Sequence, residues 1–344
     1  MGRTDKETTV DWTTPGIEEV APGVHRIPLP MPTDGLRAVN VYAVLGTESN
    51  TLVDGGWKIE PAVDALDAAL DTLGLSPADF AQCLVTHHHR DHYTLAVELR
   101  RRVGMAISLG EGERDNMRTA YAVRPLAFGA QLQSLVDAGA QSVLDLLRAA
   151  KPESVDRNDY EPPDTWLADA DRVEASGRTL RVVATPGHTS GHVVFVDDAA
   201  ELMFSGDHVL PHITPSVGLQ AVPAVSPLAD FLSSLARVVS EPDRVMLPAH
   251  GPAGGSIHER ATQLIAHHEK RLTDTAGALR AGAATAYEVA RHLRWTSRGR
   301  HLDEMDAFNQ MLAVMETVAH LDVLRAQGRA TRTEQAGDPW VYAV

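Results

Sequence analysis

The sequence predicts an α+β protein in which a strand-rich body of about 255 residues carries a helical C-terminal module. Three observations predict it. Short apolar, β-branched runs bounded by Gly, Pro, Asp or Asn recur through the first 250 residues. Helical periodicity fills the stretches between them. After Gly255 the short runs give way to long helical patterns. The 344 residues are 44% hydrophobic and 22% charged, enough apolar content for a large core and too little charge for disorder.

Taken in chain order, the runs VYAVL (41–45), TLV (51–53), CLV (83–85), LRVVA (180–184), VVFV (193–196) and VML (245–247) read as strands ending in turns. Residues 61–73 place Val63, Leu66, Leu70 and Leu73 on one helical face, and Leu95, Leu99 and Val103 repeat that spacing. Residues 110–163 are expected to form a helical insertion near the functional site, with apolar spacing at Leu132, Leu135, Val143, Leu146 and Leu147; a substrate-side cap and plain core packing explain it equally well. Ser226 before Pro227 reads as an N-cap with proline in the first turn, opening a helix through residue 239. Beyond 255, a helix is expected over 257–280. A capping box, Thr285-Ala-Tyr-Glu288, starts a second that ends near 295, and a third is expected over 303–327. Strand-like ends at 329–333 and 340–344 complete the outline of a small winged-helix module. Two domains are therefore expected, 1–255 and 256–344.

The formal charge is −15, and residues 256–344 hold 11 Lys or Arg against 11 Asp or Glu, so the whole excess lies in the body. Such a body repels phosphate backbones at long range, which argues against nucleic acid as a partner and for a small-molecule substrate. The chain lacks a run of eighteen apolar residues, and MGRTDKETTVDW at the start is polar, so neither a membrane span nor a secretory signal is expected. The single cysteine, Cys83, cannot form an internal disulfide; a cytoplasmic location is expected. A helical tail of this kind also suits a homodimer.

Chemistry concentrates at residues 86–92, Thr-His-His-His-Arg-Asp-His, directly after an apolar run. A tight loop after a strand can aim His87, His89, Asp91 and His92 from one segment, as metal ligation requires. A surface histidine tract is the plain alternative. Three further strands end the same way: LRVVA is followed by Thr-Pro-Gly-His188, LMF by Ser-Gly-Asp207 and VML by Pro-Ala-His250. Four strand ends thus present His or Asp in one topological position, as a metal site along one rim of a sheet sandwich demands.

The motif His87-X-His89-X-Asp91-His92, followed by His188, Asp207 and His250, resembles the metallo-β-lactamase superfamily over about residues 20 to 255. The resemblance implies a four-layer αββα sandwich with a dinuclear site. His87, His89 and His188 would bind one metal, Asp91, His92 and His250 the other, and Asp207 would bridge them. Asp54, in a Val-Asp-Gly-Gly turn, would support the ligand loop from behind. Nitrogen and carboxylate donors without thiolate suit two Zn2+ by default, and also iron or manganese. A water shared by two divalent ions loses a proton near neutral pH, and Asp91 would be the catalytic group that holds it. True β-lactamases of the family generally lack the bridging aspartate, so Asp207 argues against antibiotic hydrolysis as the main role. Many relatives carry glycine where Thr94 stands here. The 206–215 stretch and the C-terminal module resemble the glyoxalase II-like branch with a winged-helix-like tail, which includes thioesterase-like, esterase-like and nuclease-like proteins.

The expected function is metal-dependent hydrolysis of a small ester or thioester. A phosphodiesterase or nuclease with the same dinuclear site is the first alternative. The second is a metal-binding regulator with a DNA-binding winged helix. In that regulator the second helix would offer Arg291 and Arg294, but Asp303, Glu304, Asp306 and Glu316 make the third too acidic for a major groove. Other catalytic patterns fail: Ser190 is one place late for G-x-S-x-G, and Thr262 and Leu272 stand where a zincin needs its second histidine. His258, His267, His268, His292, His301 and His320 are expected to be helix-surface or packing residues. Arg114, Arg118 and Arg124 would meet a substrate anion or simply solvate a helix face.

Overall fold

The structure, a computed structural model, describes residues 11–32, 35–122, 129–150, 157–296 and 298–344; Arg124 lies outside them. In the first sheet β1 (Glu18–Ala21), β2 (Val24–Met31), β3 (Arg37–Val44), β4 (Asn50–Val53), β5 (Phe80–Val85), β6 (Ala106–Gly110) and β7 (Thr165–Leu167) lie side by side in chain order. The pairings through β4 are antiparallel and those beyond it parallel. Parallel neighbours need a crossover. Helices α1 (Glu60–Asp71) and α2 (Arg90–Val103) supply the first two, and the third contains α3 (Arg114–Ala122), α4 (Gly129–Asp137) and α5 (Gln141–Ala149), where the insertion was expected.

The second sheet has the order β12 (Val245–Pro248), β11 (Leu202–Gly206), β10 (Val193–Asp197), β9 (Arg178–Ala184) and β8 (Arg172–Ala175). It is antiparallel except for β11 and β12, which are joined through α6 (Pro227–Ser240). Both faces of the central strands are covered, which is why they read as continuous apolar runs rather than as alternating ones. In β10, Val193 and Phe195 face the layer between the sheets while Val194 and Val196 face the outer helical layer. In β5, Leu84 points between the sheets and Cys83 and Val85 toward α1 and α2. The result is the αββα sandwich.

The chain then continues through α7 (Ile257–Arg280), α8 (Ala286–His292), α9 (Ala307–Ala326) and the antiparallel pair β13 (Thr331–Thr333) and β14 (Val341–Ala343). The outer apolar core includes Leu135, Val143 and Leu147 of the crossover, Phe231 of α6, Leu272 of α7 and Val314 of α9. Ser226 is the N-cap of α6 with Pro227 in its first turn, as its sequence predicts, although its side chain makes no hydrogen bond to the helix. Two expectations need correction. Leu146 is exposed, and Leu144 takes the buried place on α5. The third C-terminal helix begins at Ala307, because Asp306 accepts the Asn309 N–H and caps it there. Asp303 and Glu304 belong to a separate 3-10 turn, and Glu316 faces Arg271 of α7 at 3.7 Å. With Met311, Val314, Leu321 and Leu324 all buried, α9 is a core helix, so it is burial more than acidity that makes it unsuited to a groove.

Candidate metal centre

All the predicted donors sit just past strand ends at one end of the sandwich. His87 projects from the loop after β5, His89 is the N-cap residue of α2, and Asp91 and His92 occupy its first turn. That turn favours a carboxylate, because free N–H groups and the helix dipole point there. His188 follows β9, Asp207 follows β11 and His250 follows β12.

The donor atoms converge in two overlapping sets. His87 Nε2 lies 2.9 Å from His89 Nδ1 and 3.2 Å from His188 Nε2, which is itself 3.0 Å from His89 Nδ1. Beside this triangle, Asp91 Oδ2 stands 3.6 Å from His92 Nε2 and 3.4 Å from His250 Nε2. Asp207 spans both sets: its Oδ1 is 3.4 Å from His250 Nε2 and 3.8 Å from His92 Nε2, and its Oδ2 is 3.4 Å from His188 Nε2. Sequence reasoning therefore chose seven residues that the fold does bring together.

Each histidine is held by its outward nitrogen, which turns the other nitrogen toward the centre. His92 Nδ1 is 3.0 Å from Asp54 Oδ2, and His250 Nδ1 is 2.7 Å from the Ala38 carbonyl. His188 Nδ1 meets the Ser216 carbonyl at 2.7 Å, His89 Nε2 the Leu219 carbonyl at 2.6 Å, and His87 Nδ1 the Thr86 hydroxyl at 3.1 Å. Asp54 also accepts the Thr86 N–H at 2.8 Å, so it fixes the loop as well as one ring. Sequence reasoning missed His192, four residues after His188. Its Nε2 accepts the Asp207 N–H at 3.1 Å, while Nδ1 is 2.8 Å from the Thr185 hydroxyl. The repeat of His in Gly-His-Thr-Ser-Gly-His was the available signal.

The electrostatics favour a cation. Burial and neighbouring histidines push His87 and His188 well below the ordinary imidazole range, and burial with His88 brings His89 down to about 4. These rings are neutral donors. On the other side burial works against charge, but Asp54, Asp91 and Asp207 push His92 up to about 10. Burial raises Asp207, whereas Asp91 is held well below the carboxylate range against its own burial by His92 and His250. Buried carboxylates here take their positive charge from protons, a place a divalent ion fills equally. The inward atoms His92 Nε2, His250 Nε2 and Asp207 Oδ1 are buried without a hydrogen-bond partner, so the donor set fits metal ions.

Elsewhere, His267, His268 and Glu316 also approach one another, but Arg271 already supplies a cation to that glutamate. Arg114 lies over the Trp166 ring, and Arg118 pairs with Asp115 on an exposed helix face. Neither is among the converging donors.

The profile of the metallo-beta-lactamase superfamily matches residues 34–250, a span that holds all seven donors. The chain belongs to that superfamily. The probable metallo-hydrolase YqjP of Bacillus subtilis is 25% identical over 321 residues, covering 89% of this chain and 92% of that protein. The crystal structure of a metallo-beta-lactamase family protein from Thermus thermophilus superposes with a TM-score of 0.77 at 31% identity, over 94% of this chain and 99% of the other. An atrochrysone carboxyl ACP thioesterase of Aspergillus fumigatus is 29% identical over 111 residues, 32% of this chain and 33% of the other. As a metallo-beta-lactamase superfamily member the chain has the fold and the His/Asp clusters of a metal-dependent hydrolase. Among the described residues no helix is long and apolar enough to cross a membrane.

Proposed function

We propose that the protein hydrolyses a small ester or thioester, with two divalent ions, zinc by default, at the His/Asp centre. The observation that carries this reading is the span of Asp207, whose two oxygens face different histidine sets. His87, His89 and His188 would hold one ion, Asp91, His92 and His250 the other, with Asp207 between them. Bound ions would supply an activated water and polarise the scissile carbonyl. Asp91 would hold the proton of that water: its carboxylate lies beside His92 and His250 and stays ionised there. Asp207 and Asp54 would keep charge and geometry fixed around it. Iron or manganese would fit the same donors.

The thioester preference is supported by the partial likeness to the Aspergillus thioesterase and by the −15 charge, which disfavours polyanionic substrates. The winged-helix outline at 256–344 supports DNA binding poorly, because α9 is buried. A tail packed on the body, a homodimer and a reducing cytosol, suited to the buried Cys83, complete the reading.

The test is a parallel assay of metal-loaded protein on thioesters, lactones, phosphodiesters and phosphotriesters, with Asp91→Ala beside it. Thioester or ester turnover should dominate, and Asp91→Ala should lose it by roughly 10²–10⁴-fold with an unchanged far-UV CD spectrum. A folded protein that takes up no metal under any loading condition, or that turns over only phosphodiesters, would overturn the reading.

A further inference from the structure

One buried carboxylate outside the donor set ties together both segments that carry the first three histidines. Glu113, in the turn after β6, is fully buried. Its Oε1 accepts a hydrogen bond from the Thr189 hydroxyl at 2.5 Å. Its Oε2 accepts one from Asn116 Nδ2 at 3.0 Å and lies at ion-pair distance, 2.8 Å, from His88 Nδ1. His88 sits between His87 and His89, and Thr189 follows His188. A single group therefore grips the chain neighbours of all three histidines whose nitrogens converge.

The grip extends to a third segment. Asn116 Nδ2 also donates to Gln220 Oε1 at 3.0 Å, and the same oxygen accepts the Ser190 N–H at 2.7 Å. Gln220 follows Leu219, whose carbonyl holds His89. Two glycines make this closeness possible. A Cβ on Gly191 would collide with the Glu113 amide nitrogen, and one on Gly112 with the Ser190 carbonyl oxygen. Burying a carboxylate carries a desolvation cost that its charge-assisted contacts largely offset, so net stability alone does not explain its place here, although removing it by itself would leave Thr189, Asn116 and His88 facing a lost partner. What the carboxylate adds is direction, since its oxygens demand particular donors at particular angles.

We propose that Glu113 is a positioning residue of the metal centre: by clamping His88 and Thr189 it sets the spacing between the His87/His89 loop and the His188 turn. The inference rests on the metal-binding half of the proposed function and is independent of substrate. Zinc affinity and stoichiometry, measured by competition with a chromophoric chelator, test it in the full-length protein and its Glu113→Ala and Glu113→Gln variants, alongside unfolding of the metal-free forms. One of the two ions should bind roughly 10–100-fold more weakly in Glu113→Ala, with partial recovery in Glu113→Gln, which still accepts from Thr189. His250→Ala, the control, should weaken the other ion. If Glu113→Ala does not fold, Thr189→Val should show a smaller loss at the same ion. Unchanged zinc affinity in the folded variants overturns the proposal, as does a wild-type protein that binds no zinc. Zinc-loaded wild type without turnover counts against the hydrolase reading alone, because affinity is read separately.

Discussion

Asp54 shows how one residue is fixed by chemistry that its neighbours in sequence do not reveal. It adopts φ 60°, a left-handed conformation uncommon outside glycine, and holds it because its carboxylate is fully engaged with the Thr86 N–H, the Thr86 hydroxyl and His92 Nδ1. Asp54→Ala should remove the acceptor that orients His92, weakening metal binding by roughly 10–100-fold. Asp54→Asn, of equal volume, should recover less than half of that in free energy, because the ring would lose its anionic partner. Isothermal titration with zinc measures both, and an Asp54→Ala protein with wild-type affinity would remove Asp54 from the centre's support. The donors themselves were legible because residue type and strand-end position suffice to nominate them. Glu113 was not, since its partners lie in other segments and a lone Glu carries no such pattern, while His192 left only the weaker signal of a repeated His.

At the scale of elements, the strands were legible because both faces of each central strand are buried, leaving uninterrupted β-branched runs. The start of α9 was not. The acidic cluster at 303–306 reads as a helical first turn, yet the chain spends Asp303 and Glu304 in a 3-10 turn and uses Asp306 as the cap. The α8 capping box, by contrast, forms as its spacing predicts: Thr285 Oγ1 accepts the Glu288 N–H at 3.2 Å, and Glu288 Oε2 accepts the Thr285 N–H at 3.1 Å. Thr285→Ala removes one of the two and should cost about 1 kcal/mol of stability. Urea unfolding gives that value directly, while zinc affinity should stay unchanged because α8 carries no donor. A shift near zero would mean that packing of Val289 and Ala290 alone holds the helix.

For the whole molecule, the outer core that runs from the crossover helices through α6 into α7 and α9 makes the body and the tail share buried groups, among them His268 and His320. His320 Nδ1 donates to the Glu316 carbonyl at 2.7 Å, so its Nε2 accepts from His268 Nδ1 at 3.2 Å; both rings are neutral. Burial, and for His268 the neighbouring His320, lowers them to about 2 for His268 and about 4 for His320, against 6.5 for an unperturbed imidazole. Between pH 6.5 and about 4 the unfolded chain therefore binds protons that the folded chain refuses. Stability contributed by these rings is complete above pH 6.5 and falls as the solution is acidified through that window, by about 1 kcal/mol per histidine per pH unit. Bound metal would add its own pH dependence, so the comparison belongs in metal-free protein, where wild type and a His268→Phe/His320→Leu double variant share the background of the ligand histidines. Wild type should lose more stability than the variant between pH 7 and pH 5, and because the core is continuous, tryptophan fluorescence and far-UV CD should report the same midpoint at each pH. Equal pH slopes in the two proteins would show that the pair is solvated before the fold opens, and separate midpoints would show that the tail unfolds on its own.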